Sequence, residues 1–224
     1  MSDFSVQGSS VSLPSFNPGG AGDGPVAVTK RGEIISQPWY QSWMDKGRVY
    51  QDAPSTVATG LTVATTSYVA TTPVWMLDVA AGTTVIPLSL EARQVGTVAG
   101  GVIKVILSAD RVNRYSSSGT AKTPVNLKIG GGNAVTGPRA STSSVYTGAT
   151  AAGVTSHVEL FSSFLTQDVG AGTLPGSLQT IFRWPDTNEP LPQLVGPASL
   201  LWHTFAGTTN ATWAYRFTWI ELDS

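Results

Sequence analysis

This 224-residue chain predicts an all-β fold, a jelly-roll-like β-sandwich preceded by an extended N-terminal arm. Three observations carry that reading. First, the stretch from Thr212 to Leu222 places Trp213, Tyr215, Phe217 and Trp219 at alternate positions. In an extended chain that spacing sends all four rings to one face, whereas in a helix they would scatter around the cylinder. Second, from residue 57 onward strand-like runs follow one another with turn signals at short intervals and no long helical pattern, the signature of a sandwich or barrel. Third, hydrophobic residues reach 41% while charged residues stand at 12%, about half the usual share. Thr, Ser, Gly and Ala take the place of the missing charge, a composition of many strands and turns rather than of disorder.

Residues 1–55 form the expected arm and residues 56–224 the body. Met1 to Asp23 is Ser, Gly and Pro with spaced apolar residues, among them Phe4, Val6, Leu13 and Phe16. Those spaced side chains read as anchors laid along a neighbouring molecule. Arg31 follows, and then Trp39, Tyr40 and Trp43 around a short helical turn at Ser36 to Met44. The three rings read either as a small satellite core or as an exposed docking patch for a partner.

In the body, Val74 to Val79 is a strand ending at the turn Ala80-Ala81-Gly82. Thr84 to Ala92 alternates, with Ile86, Leu88 and Leu90 on one face, and Pro87 marks an edge strand or a bulge. Val102 to Val112 is the longest strand candidate. Val125 to Ile129 is a strand leading into Gly130-Gly131-Gly132-Asn133, Val158 to Leu165 reads as a strand, and Leu178 to Trp184 is halted by Pro185. Ala198 to Phe205 is the penultimate strand, and Gly207 to Asn210 turns it into the last one, which predicts an antiparallel hairpin. On the far face of that last strand, Ala214, Arg216 and Thr218 are small or polar, and Arg216 and Thr218 are the candidate oligomer-interface residues.

The reactive inventory is small. There is no cysteine, so no disulfide or thiolate metal site exists. The two histidines, His157 and His203, are far apart, with no HExxH helix and no GxSxG elbow. The glycine run at Gly130 lacks the GxxxxGK[ST] spacing of a phosphate loop. The expectation is no catalytic residue, no cofactor and no metal. A net charge of −1 argues against general nucleic-acid binding. Lys104, Arg111, Arg114, Lys122, Lys128 and Arg139 nevertheless cluster in sequence against Asp110 alone, as scattered solvated charges or as one of two complementary subunit faces. There is no signal-peptide pattern and no apolar run long enough to span a bilayer, so synthesis in a cytoplasm and no membrane partner are expected.

Four stretches carry a resemblance: Thr29-Lys30-Arg31-Gly32-Glu33, the approach to Pro73-Val74-Trp75-Met76-Leu77, the Lys128 to Asn133 turn, and the ending Trp219-Ile220-Glu221-Leu222. In these the chain resembles small virion structural proteins of tailed bacteriophages, of the capsid decoration or cement type. The resemblance implies a protein on the capsid exterior, bound to the major capsid protein, homotrimeric and assembled in the host cytoplasm, with no catalytic residues. Two other readings stand beside it. One is a head-fibre or spike module whose loops at 136–155 or 170–177 bind a host surface glycan. The other is the major capsid protein of a small jelly-roll virus, against which counts the absence of Lys and Arg from residues 1–29.

Overall fold

The computed structural model describes residues 39–54, 60–62, 65–95, 101–129, 140–153, 157–167, 181–185, 191–206 and 212–223. The chain divides into two compact units, residues 1–42 and 43–224. Of the first, the described part is Trp39 to Ser42, which opens helix α1 (Trp39–Asp45). That helix is capped as its sequence demands. Gly47 takes a left-handed φ of 67°, its N–H donates to the Met44 carbonyl, and the Arg48 N–H donates to the Trp43 carbonyl. This pair of bonds closes the helix end in the way a glycine cap allows.

The strands follow in order as β1 (Val49–Asp52), β2 (Leu61–Thr62), β3 (Trp75–Val79), β4 (Thr83–Val95) and β5 (Gly101–Asp110). Then come the short β6 (Tyr115–Ser117), β7 (Thr120–Lys122), β8 (Val125–Asn126), β9 (Ser144–Thr147) and β10 (Thr150–Ala151). The chain closes with β11 (Val158–Gln167), β12 (Ile181–Trp184), β13 (Leu194–Val195), β14 (Ala198–Ala206) and β15 (Thr212–Asp223).

Two antiparallel sheets face each other. The first runs β12-β4-β15-β1-β8, and the second runs β11-β5-β14-β3-β9-β7. Taking β1, β3, β4, β5, β11, β12, β14 and β15 as the principal strands, the first sheet orders them 1-8-3-6 and the second 2-7-4-5. Successive principal strands thus alternate between sheets, except for β5 and β11, which pair within the second sheet, and this double Greek key is the winding of a jelly roll. The expected jelly-roll-like β-sandwich is the fold of the described residues, and residues 1–38 of the expected arm lie outside them.

The core lies between the sheets. From the first it takes Tyr50, Val85, Leu90, Trp213, Tyr215, Phe217 and Trp219, and from the second Trp75, Leu77, Val105, Leu107, Leu200 and Trp202. The rings meet across the gap: Trp75 lies 4.4 Å from Phe217 and Trp202 lies 5.7 Å from Tyr215, centroid to centroid. Tyr50 stacks on Trp219 within its own sheet at 6.3 Å.

Four expectations are corrected. The last two strands are not a hairpin. β14 pairs with β3 and β5, while β15 pairs with β1, β2 and β4, so they sit in opposite sheets. Each carries large rings on its inner face, and those rings are buried by facing one another rather than by lying side by side. The boundary at residue 55 also falls too late. Val49 to Asp52 pairs with Phe217 to Ile220, and Trp43 and Met44 pack beside Val49, Ile86 and Ile220, so the body begins ahead of β1.

The third correction concerns β4. Thr218 opposes Ser89 but Trp219 opposes Pro87, which leaves Leu88 as the extra residue of a bulge. A bulge shifts the side-chain alternation by one. Leu90 and Ala92 therefore share the main core with Val85, while Ile86 and Leu88 turn to the small cluster on the outer side. Of the two readings of Pro87, edge or bulge, the bulge holds, since β4 is an inner strand. Pro87 also falls between the residues that β13 and β12 bond, Thr84 to Val85 and Leu90 to Arg93, where its missing N–H breaks no ladder.

The expected strand at Val125 to Ile129 stops at Asn126. The Asn126 side-chain oxygen accepts the Lys128 N–H at 2.9 Å, a local turn that ends the ladder and leaves Ile129 85% exposed. The core's dependence on its rings gives a direct test. Trp202→Ala is expected to destabilise the fold by about 3–5 kcal/mol in urea unfolding, with Ile129→Ala within about 0.5 kcal/mol of the parent. A cost below about 1 kcal/mol for Trp202→Ala would contradict the inter-sheet packing described.

Candidate functional site

The outward positions of β15 meet those of its neighbours in one polar patch. Register aligns Arg216 with Glu91 of β4 and Glu91 with Arg183 of β12, and Arg93 stands two residues along β4 on the same face. Antiparallel pairing of opposite charges is favourable at such positions. Glu91 Oε1 accepts from Arg93 Nε at 2.7 Å, Oε2 accepts from Arg183 Nε at 3.2 Å, and Arg216 Nη2 lies 3.7 Å from Oε2. The Glu91 side chain is 18% exposed, while Arg93, Arg183 and Arg216 are each roughly half exposed or more.

Burial pushes the Glu91 carboxyl up, but the Arg93 bond and the charges of Arg93, Arg216 and Arg183 outweigh it and hold the carboxyl below its usual value. Three positive groups against one negative leave the patch at +2. Each guanidinium spends only part of its five-donor fork on Glu91, so the rest can receive a carboxylate or phosphate. Thr218, the other interface candidate, is half-buried between Gln51 and Ser89.

The arm candidates divide differently. Phe4, Val6, Leu13, Phe16 and Arg31 lie outside the described residues, and Trp39 is described only as helical backbone. Tyr40 is 43% exposed. Trp43, expected to serve a partner, packs instead within the body beside Val49, Ile86 and Ile220, under the Lys46 ammonium at 4.6 Å. The satellite-core reading therefore applies to Trp43. The cations that cluster in sequence go to separate places. Arg114 pairs with Asp110 at 2.8 Å, Lys128 donates to the Asp45 carbonyl, and Lys104 lies over the Phe205 ring.

Buried polar groups are the features that sequence reading missed. Glu221 is fully buried, one alternation beyond Trp219, and so points inward with the rings. It accepts from Ser141 Oγ, Thr142 N (2.9 Å), Thr142 Oγ1 (3.1 Å), Ser143 N (3.4 Å) and Trp219 Nε1 (3.1 Å). Burial raises its pKa, and these donors more than reverse the effect and hold the carboxyl below its ordinary value. Its bonds tie segment 141–143 to the first sheet.

Asp52 is the second buried acid. One oxygen accepts from Trp75 Nε1 at 2.8 Å and from Tyr215 OH at 2.7 Å, so it joins the two sheets through the core. Burial raises its pKa despite both donors. Burial, followed by the Asp52 charge and bond, also raises the Tyr215 hydroxyl far above its usual value, so that it stays a donor.

The two histidines, distant in sequence, flank one ring. Tyr68 lies 5.1 Å from His203 and 6.3 Å from His157, and its hydroxyl is 3.5 Å from His157 Nε2. His203 is buried, with Nε2 3.1 Å from the Ala70 carbonyl. Burial, reinforced by His157 and opposed by the Ala70 bond, lowers its pKa to about 4. Neither imidazole meets a serine or a carboxylate among the described residues, and no group of three His, Asp or Glu side chains there could hold a metal. No helix among the described residues is long and apolar enough to cross a membrane. No protein-family model, curated protein or solved structure matches this chain.

These groups give two separable pH effects. With its pKa depressed in the fold, His203 binds a proton less readily than in the unfolded chain. Its contribution is complete above about 6.5 and drains as pH falls toward 4, by up to on the order of 3 kcal/mol. His203→Leu should flatten the stability profile in that window, and parallel profiles would contradict the assignment. Glu221 acts lower, its contribution being present above 4.5 and lost as pH falls through its depressed folded value. Glu221→Gln should lower stability at pH 7 by about 1–3 kcal/mol, by leaving donors unmatched, and should remove that acid loss in denaturant midpoints measured from pH 7 to 3.

Proposed function

We propose that this chain is a virion structural protein of the capsid decoration or cement type. In this reading it binds the outer surface of a capsid through the outer face of its first sheet and through residues 1–38, as a homotrimer. The observation that carries the proposal is the patch of Arg93, Arg183 and Arg216 gathered on Glu91. Rigid strands hold three guanidinium groups at a net +2 on an otherwise charge-poor chain, which suits a fixed acidic surface on a major capsid protein. The jelly-roll sandwich supports the same reading, because capsid-associated β-proteins use this winding, although a fold by itself assigns no function. The Ser- and Thr-rich composition adds hydroxyl contacts that bury without the cost of desolvating charge.

The test is binding of the purified chain to undecorated capsids, read by co-sedimentation and by imaging of the particle. Arg216→Glu takes the patch from +2 to zero and should weaken capsid binding at least about tenfold at low salt, with a melting temperature within about 2 °C of the parent. Removal of residues 1–25 should likewise abolish binding and leave the body folded. Undiminished decoration by Arg216→Glu would reject this face as the capsid contact.

A further inference from the structure

On β14, Leu200 and Trp202 face the main core, so Leu201 and His203 point to the outer side of the second sheet. Both are nevertheless buried, at 0% and 2% exposure. Residues 65–72, between β2 and β3, help to cover them. Ala70 packs on the cluster of Met76, Leu201, Ala149 and Ala151. The Tyr68 ring lies 5.1 Å from the His203 ring and 6.1 Å from Phe205.

This strap is lightly held. It belongs to no strand ladder, and two of its carbonyls fasten it to the body. Ala70 O lies 3.1 Å from His203 Nε2, and Thr71 O accepts the Ala151 N–H at 2.8 Å. The bonds from Thr72 to the Val69 carbonyl only close a turn within the strap. Tyr68 and Val69 stay 36% and 39% exposed. A segment with so little apolar burial opens more easily than the whole fold.

His203 is the fastening that acid can break. A neutral imidazole has one ring proton, and donating it from Nε2 to Ala70 leaves Nδ1 bare. Nδ1 has no partner and is shut off from solvent. A second proton would therefore create a buried cation with an unmatched N–H, which is costly.

No neighbouring group relieves that cost. The strap supplies the Tyr68 hydroxyl, which burial and then the Glu159 charge keep protonated. Beside β11 stand His157, whose own charge would oppose another, and Glu159, which is exposed and bonds neither imidazole. β5 sets Ile106 opposite His203, and its Lys104 lies over the Phe205 ring. β3 brings Met76, and its Asp78 is taken up by Ser199, Arg114 and Tyr115.

We infer that residues 65–72 form an acid-released strap, which lifts when His203 takes a second ring proton and bares Met76, Leu201 and His203 on the outer face of the second sheet. The device does not rest on capsid binding, because the arginine patch lies on the other sheet. With the strap closed, burial lowers the His203 pKa to about 4, and lifting it restores the ordinary 6.5. Linkage then raises the open population about 30-fold between about pH 7.5 and about pH 5.

The experiment is amide hydrogen exchange on the full chain at those two pH values, with and without about 1 M urea. The Ala151 N–H reads the strap directly, because its acceptor is Thr71 O. Its protection, corrected for intrinsic exchange, should fall about 30-fold at the lower pH. That loss should be insensitive to urea, as local opening exposes little surface, while amides of β5 and β14 respond to urea as global unfolding does. His203→Gln keeps an N–H for Ala70 and cannot take the charge, so its Ala151 protection should agree within about twofold at the two pH values. Equal Ala151 protection in the parent at both, a urea response matching that of β5 and β14, or a parent-like fall in His203→Gln would each overturn the strap.

Discussion

The inward row of Trp213, Tyr215, Phe217 and Trp219 is the surface on which the second sheet rests. Trp75 and Trp202, the two largest side chains buried in that sheet, each make a ring contact with a member of the row. β15 can present these rings because it is an inner strand, bonded to β4 along its whole length and to β1 on its other side. Asp52 fastens the same layer by accepting from one ring on each sheet. Apolar burial supplies the driving force without direction, and the two hydrogen bonds add the register in which the sheets can face one another.

What could be read from the chain follows from how local each signal is. Alternation along β15 is a property of neighbouring residues, so its buried face was legible, and the same parity carried one step further places Glu221 inside. Strand partnership is not local. The sequence Gly207 to Asn210 reads as a hairpin turn, but the rings on the strands before and after it need an opposing layer, and that requirement decides which sheet each strand joins. The Leu88 bulge was visible only as a proline that fits poorly, since the extra residue exists only relative to the register of β15. The encounter of His157 with His203, and the gathering of Arg93, Arg183 and Arg216 on Glu91, depend on which strands lie adjacent. Nothing in spacing along the chain encodes that.

Charge is allotted by layer. Inside, the carboxylates of Asp52 and Glu221 are matched by indole, hydroxyl and backbone donors rather than by cations. Such matching avoids the cost of burying a second ion. Outside, on the first sheet, cations outnumber acids around Glu91. The interior polar groups hold the shape, and the exterior ones remain free to meet another molecule.

The position of β15 also sets the order in which the molecule can be made. The strand leaves the ribosome after the other described strands of the sandwich, yet its place is between β1 and β4. Until it arrives, the first sheet has a gap with an unpaired ladder on each side, and the rings of Trp75 and Trp202 have no layer to cover them. A nascent chain of this kind passes through a stage with open strand edges and exposed aromatic surface, the state most prone to join another copy. Closure joins residues near position 50 to residues near position 220, a long-range pairing that slows folding. The low charge that suits the finished surface gives the unfinished chain little self-repulsion, so rapid capture of the last strand is what protects it during synthesis.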